Sequence, residues 1–304
     1  MRLPSPMSLY SVIIPARNAE RFITQALDSV QQQTCRADEV VVVDDGSTDR
    51  TRDLADAWRR DHPDVVIRLC TQPHQGIGAA RNTGIQAASG RFVAFLDADD
   101  YWVDRKLERV SAVLENDPAI DLVCHDEWLV RENGHRSRLR YGPHRRYDQL
   151  LFRGNCLSTS ATVVRRRLVL DVGGFSEELR INGVEDYDLW LRLAKAGGRF
   201  TYLHEPLGVY RVHPLGVTSR IEEHRDHVLA VLDAHYQQWT NRSLRYRYAM
   251  RRQRAAAIRG AAHALMQQGD HARAWHSFGQ ALEQDPFAWK TCVLGLLNLA
   301  RVRR

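Results

Sequence analysis

Over its first hundred residues the chain alternates short β-branched apolar runs with segments of helical period, and each run stops at a polar turn. Leu9–Ile14 is the first run, ended by Pro15, and Ala19–Gln32 follows with apolar residues at Phe22, Ile23, Ala26, Leu27 and Val30, a helical spacing. Glu39–Val43 is a second buried-type strand, closed by Asp44-Asp45-Gly46-Ser47, and Ser47 or Thr48 is placed to cap a helix running through Trp58. Val65–Leu69, Gly78–Ala88 and Phe92–Leu96 continue the series as strand, helix and strand. Such alternation predicts an α/β fold built on a doubly wound, mostly parallel sheet with right-handed crossovers.

Beyond the fourth strand the pattern predicts a helix over Arg105–Glu115, a strand over Ile120–Cys124 and a mobile, Arg-rich loop over Asn133–Tyr147. Thr159–Val164 and Phe200–Leu203 read as strands, with a helix over Tyr187–Ala196 between them. From Glu222 the chain is wholly helical, in segments near 222–238, 244–267, 271–283 and 287–300. This divides the 304 residues into a sheet domain, 1–220, and a helical C-terminal extension, 221–304. Within the extension, residues 256–284 resemble one tetratricopeptide-type helical pair, short of the three or so repeats a free-standing array needs.

Charge follows the same division. The chain has 43 Lys and Arg against 37 Asp and Glu, yet residues 221–304 hold 13 of the bases and only 7 of the acids. The sheet domain is therefore neutral, and the excess of +6 lies in the extension, which argues against nucleic acid as a partner of the site. The last helix, with the closing Arg301-Val302-Arg303-Arg304, suits an anionic membrane surface met through 287–304, a homodimer face or a core helix. Five cysteines without a CxxC pair fit neither a disulfide framework nor a thiolate zinc site. With no signal-peptide layout and no uncharged apolar run of about 18 residues, the expectation is a cytoplasmic protein, peripheral at most on the inner face of the plasma membrane.

Ligands of open α/β sheets gather at the carboxyl ends of the strands, where strand order reverses. Three polar clusters fall at such ends: Pro15-Ala16-Arg17-Asn18, Asp44-Asp45-Gly46-Ser47 and Asp97-Ala98-Asp99-Asp100. Asp97 and Asp99, one residue apart after a buried strand, suit a hard divalent cation such as Mg2+ or Mn2+ that completes its shell with water and phosphate oxygens. Arg81, one unit upstream, offers a guanidinium to an anion or a base. A fourth cluster, Glu185-Asp186-Tyr187-Asp188, opens a helix, where acids also favour the macrodipole, and it offers a carboxylate as general base.

In order, Ser11–Asn18, Asp28-Ser29-Val30 with Gln33-Thr34, Val43–Asp49, Ala80–Ile85 and Phe95–Asp100 resemble the motifs of the family 2 inverting glycosyltransferases of GT-A fold. Gly173-Gly174-Phe175, Glu185–Trp190 and Tyr210–His213 complete the series, so the resemblance covers roughly residues 8–215. It implies a metal-dependent transfer of a sugar from a uridine or thymidine diphosphate to an acceptor hydroxyl of a glycan or lipid-linked glycan. Asp45 would accept the base N–H and Pro15 and Arg17 would line the base pocket. Asn18 and Ala98 would belong to the same nucleotide-sugar site. Arg81 would contact the nucleotide, Asp97 the ribose side, Asp99 the Mn2+ or Mg2+ ion with His213 near it, and Asp186 would be the catalytic base. An aromatic residue is usual in the family where Arg17 stands, which turns base stacking into cation–π stacking. The QxxRW motif of processive synthases is absent, so long-chain polymerisation is not expected. The alternatives are a nucleotidyltransferase acting on sugar phosphates, which lacks its Gly-rich loop here, and a non-catalytic helical-repeat interaction protein. A dehydrogenase reading of Gly76-Ile77-Gly78 fails for want of the remaining glycine.

Overall fold

The structure, a computed structural model, describes residues 9–213 and 220–302. Its elements run β1 (Tyr10–Ala16), α1 (Ile23–Gln31), β2 (Glu39–Asp45), α2 (Thr51–Asp61), β3 (Ile67–Gln72), α3 (Ile77–Ala87), β4 (Phe92–Phe95), β5 (Tyr101–Trp102) and α4 (Lys106–Asn116). There follow β6 (Leu122–Arg131), β7 (Arg136–Leu139), α5 (Tyr147–Arg153), β8 (Thr162–Arg165), α6 (Arg166–Asp171), α7 (Glu185–Lys195) and β9 (Phe200–Val212). Four helices close the chain: α8 (Ile221–Gln237), α9 (Leu244–Gln267), α10 (His271–Gln284) and α11 (Trp289–Val302).

The strands form one sheet in the order β3-β2-β1-β4-β8-β6-β9-β5, with β7 added on β6. β1, β2, β3, β4, β6 and β9 point one way, and β5, β7 and β8 oppose them. The sheet is therefore mixed but mostly parallel. Its order reverses at β1, which lies between β2 and β4, and such a reversal is where open α/β sheets hold ligands, at the carboxyl ends of the strands.

Every residue of β2 is buried, as a strand covered on both faces requires. Val40 and Val42 join the core shared with α1, α2 and α4 through Ile23, Leu27, Trp58 and Leu107. Val41 and Val43 meet Ala80 of α3 on the other face. That second face tolerates no bulk. A Cβ on Gly84 of α3 would lie 2.5 Å from Ile13 Cγ2 of β1, so the helix rides on the strand through its glycine. Gly84→Ala should destabilise the fold by about 1–3 kcal/mol, the usual cost of overpacking, read as a lowered urea midpoint at unchanged slope.

Two strands run well past their apolar cores. β6 continues from Cys124 through His125, Asp126 and Glu127, all buried, with an irregular register against β9 at those residues. β9 likewise extends nine residues beyond the strand read at Phe200–Leu203, through to Val212. Polar residues in a strand carry no apolar period, so neither extension shows in the sequence. The stretch read as a loop over Asn133–Tyr147 contains β7, which pairs Arg136–Leu139 with Val130–Glu127. Neither Ser47 nor Thr48 caps α2. That place is Arg50, without a side-chain cap, and Asp49 accepts from the Thr51 N–H instead.

The chain separates into two compact units. One comprises 1–146 with 156–214, and the other 147–155 with 215–304. The second unit thus takes in α5 besides α8–α11. Its core is Ala262, Leu265, Met266, Ala274 and Phe278. α9 and α10 are separated at Gly269, at φ +84°, and Asp270, which caps α10 by accepting from the Arg273 N–H. The side chains of Trp289, Lys290 and Arg301–Arg304, part of the surface read over 287–304, lie outside the described residues, as does the stretch 214–219. No described helix is long and apolar enough to cross a membrane, and the five cysteines are free.

Candidate functional site

Pro15 is buried at the end of β1, and Arg17 and Asn18 are exposed just beyond it. Asn18, at φ +50°, clasps the turn after β2: its Oδ1 accepts from the Thr48 N–H at 2.9 Å, and its own N–H donates to Ser47 Oγ at 3.0 Å. Asp45 ends β2 almost wholly buried. Its Oδ1 accepts from Gln72 Nε2 and the Gln75 N–H, and its Oδ2 pairs with His74 Nδ1 and accepts from the Gly76 N–H, all within 3.0 Å. A carboxylate has about four acceptor positions, so Asp45 here is fully engaged in holding the loop that leads from β3 into α3.

Arg81, in α3, is 2% exposed. One Nη donates to Asp97 Oδ1 at 2.7 Å and the other to Glu185 Oε1, while Cζ lies 5.1 Å from the Phe175 ring centroid. The guanidinium therefore joins the acidic turn after β4 to the start of α7. Glu185 is not singled out by the sequence apart from its cluster, yet of the three acids there it is the least exposed. Burial raises its pKa, and Arg81 opposes that rise.

A second link runs through three consecutive hydroxyls. Ser158 hydrogen-bonds Glu127, Thr159 Oγ1 donates to Asp186 Oδ2 at 3.1 Å, and Ser160 Oγ donates to Asp100 Oδ2 at 2.7 Å. Ser160 Oγ also accepts from the Asp97 N–H at 3.1 Å. Asp186 therefore sits beside the turn that carries Asp97, Ala98 and Asp99. Burial raises the Asp186 pKa, with the Arg81 charge acting against it. Asp100 is pushed well above the usual carboxylate range by burial and by Asp99.

Asp99 and His213 are brought together: His213 Nε2 lies 2.9 Å from Asp99 Oδ2 at the end of β9. The ring packs on Phe22, centroids 4.9 Å apart, and its Nδ1 is buried without a partner. Among the described residues no group of three His, Cys, Asp or Glu side chains suffices to hold a metal alone. Mg2+ and Mn2+ do not need one, since they take one or two carboxylates and complete their shells with water and phosphates. The partly exposed Asp99 and Asp97 carboxylates, with the His213 imidazole beside Asp99, fit that donor set.

Beneath the acidic turn lies a charged cluster that the sequence does not advertise. Lys106 is fully buried, its Nζ 3.2 Å from the Trp102 ring centroid and 3.3 Å from the Ser160 carbonyl. His125 Nδ1 binds the Asp126 carbonyl at 2.8 Å, and Tyr141 Oη donates to Glu127 Oε2 at 2.9 Å. Burial drives Lys106 and His125 well below their usual pKa values and pushes Glu127 up to about 7. A carboxyl raised in the folded state stabilises fully below its unfolded pKa and loses that contribution as pH rises through the folded value. Stability should accordingly decline between about pH 4.5 and 7, and Glu127→Gln should flatten that decline in thermal melts across the interval.

The model of the family described as "Glycosyl transferase family 2" matches residues 11–173, more than half of the chain, and a second, "Glycosyltransferase like family 2", matches 152–213. A mixed, mostly parallel sheet with acidic turns at its switch point makes this an α/β protein. The chain belongs to the family 2 glycosyltransferases. An Escherichia coli relative, the UDP-Glc:alpha-D-GlcNAc-diphosphoundecaprenol beta-1,3-glucosyltransferase WfgD, is 35% identical over 62% of this chain and 70% of its own length. The chain spans from 33% to 76% of the lengths of eight curated relatives it matches. Among solved structures, Staphylococcus aureus TarS 1–349 with UDP-GlcNAc aligns with a TM-score of 0.64 at 20% identity, over 91% of this chain and 81% of its own. The mannosyltransferase PcManGT from Pyrobaculum calidifontis, with GDP-Man and Mn2+, aligns with a TM-score of 0.61 at 19% identity, over 98% and 89%. Both support the GT-A fold.

Proposed function

We propose that the chain is an inverting, metal-dependent glycosyltransferase that moves a sugar from a nucleoside diphosphate to an acceptor hydroxyl in glycan or surface-polysaccharide synthesis. One observation carries this reading: Arg81 bridges Asp97 and Glu185, which holds Asp186 beside the acidic turn at the sheet's switch point. The donor is a uridine or thymidine diphosphate sugar, a choice supported by the UDP-glucose named for the E. coli relative. The acceptor is a glycan, free or lipid-linked. Pro15, Arg17, Asn18 and Ala98 line the donor site, and the Asp45-anchored loop shapes its base end.

In the transfer, Asp186 takes the proton of the acceptor hydroxyl as that oxygen attacks the anomeric carbon. The bond to the diphosphate oxygen breaks on the opposite face, so configuration inverts. Thr159 orients the Asp186 carboxylate, and its raised pKa brings the base nearer to neutral pH. Asp99 and Asp97, with His213, would hold Mn2+ or Mg2+, which supplies Lewis-acid stabilisation of the departing diphosphate.

The test is donor binding, read by thermal shift across a panel of nucleotide sugars with and without manganese. A uridine or thymidine diphosphate sugar should raise the melting point, and manganese should enlarge the shift. Asp99→Ala should remove the manganese-dependent part and leave the metal-free shift unchanged. Equal shifts with and without the ion in the unaltered chain would overturn the metal dependence, and silence across the whole panel would overturn the transferase reading.

A further inference from the structure

The helical unit carries a groove that sugar transfer leaves unused. It has a volume of about 740 Å3 and is built from α5, the first part of α9 and the turn between α10 and α11. Arg153, Arg245, Arg252 and Arg259 line it, against only Asp148 and Asp285. Arg245, Arg252 and Arg259 are spaced by seven residues, so they form one stripe along α9, about 21 Å long at 1.5 Å per residue.

Two other arginines of α9 are engaged within the unit. Arg251 donates to the Glu283 and Gln284 carbonyls at the end of α10, and Arg254 pairs with Asp233. The groove arginines are not engaged in this way. Among the described residues Arg153, Arg245 and Arg259 have no carboxylate within ion-pair distance, and Arg252 reaches Asp285 only at 3.9 Å. Gathering four guanidiniums on one groove is repulsive within the chain and favourable only against an anion. Large apolar side chains stand there too: Tyr248, 46% exposed, and Phe287, 83%, line the groove, and Leu244, 79% exposed, precedes Arg245 at the start of α9.

We infer that this groove docks the helical unit on a membrane surface by binding the phosphates of anionic lipid headgroups. Guanidinium forks match phosphate oxygens, and a row of three addresses several headgroups at once. A soluble polyanion would satisfy the arginines and leave Leu244, Tyr248 and Phe287 in water. An interface accommodates both, since apolar side chains enter the acyl boundary while basic ones stay at the headgroups. This moves the surface contact read from the sequence over 287–304 onto α5 and α9, with only Phe287 and Ala288 of that range lining the groove, and it does not depend on the transfer reaction.

The test is co-sedimentation of the full chain with phosphatidylcholine vesicles, with and without phosphatidylglycerol. Binding should require phosphatidylglycerol and fall in high salt, and R245Q/R252Q/R259Q should weaken it by about tenfold or more. Circular dichroism and donor binding should be unchanged in that variant. A second variant, L296E/L297E, alters exposed residues of α11 outside the groove. If that variant abolishes sedimentation and the arginine variant does not, membrane contact stands and the groove is overturned. Equal binding to neutral vesicles overturns the headgroup assignment. So does saturation by inorganic pyrophosphate with indifference to vesicles, which marks a soluble-anion site instead.

Discussion

Replacing Asp186 by Asn should lower sugar transfer by roughly 10²- to 10⁴-fold, the usual contribution of a positioned general base, while donor binding stays close to that of the unaltered chain. The substitution is nearly isosteric. The Asn carbonyl, in the place of Oδ1, can still accept from the Tyr187 N–H, and its NH2, in the place of Oδ2, can donate to Thr159 Oγ1, so both contacts that hold the carboxylate now have a counterpart. What disappears is the capacity to take a proton. In the unaltered chain the base is active only when ionised, and burial raises its pKa. Turnover should therefore fall on the acid side at a higher pH than an exposed aspartate would impose, and that limb should be missing from the residual rate of the variant. Single-turnover kinetics against pH, with donor binding measured in parallel, provide the check. Full turnover by a folded Asp186→Asn protein would remove this residue from the role.

The parts of this site that were legible in the sequence are those that punctuate apolar runs. A buried strand such as Val40–Val43 announces itself by composition, and the acids that end it are then placed by topology alone. The same logic locates Asp97–Asp100 after β4 and the start of α7 at Glu185. Polar groups inside an element leave no such mark. His125, Asp126 and Glu127 follow Cys124 in an unbroken strand, but a run of polar residues reads as the strand's end. Lys106 opens an amphipathic helix in a position that normally faces solvent, yet it is fully buried against Trp102. Ser158 stands just before, and Thr159 and Ser160 open, the stretch read as a strand over Thr159–Val164; β8 begins only at Thr162, and the importance of the three hydroxyls lies in carboxylates that arrive from distant segments. Spacing along the chain cannot convey such contacts, because the partners are separated by 27 to 60 residues.

Arg81 shows most sharply how position changes the reading of a residue. As a sequence feature it is a cation offered to a ligand, whereas in the fold it is buried between Asp97 and Glu185. Arg81→Leu should destabilise the chain by about 3–5 kcal/mol, because removing one partner leaves the buried Glu185 carboxylate uncompensated. Lysine should not rescue it, since one ammonium cannot reproduce two separate N–H contacts in a fixed fork. The deficit should also depend on pH in a defined direction. Glu185 already has a raised pKa, and without Arg81, which lowers it, the value climbs further. A carboxyl so raised confers its stability below the unfolded pKa and loses it as pH rises through the folded one. The variant should therefore approach the unaltered chain in acid and fall furthest behind it above neutrality. Removing both partners in R81L/E185L leaves no stranded charge between them and should recover much of the loss. Urea denaturation of the three proteins at acid and neutral pH decides the matter. If Arg81→Leu matches the unaltered chain at neutral pH, or if the double variant is no better than the single, the bridge does not hold α7 against the acidic turn.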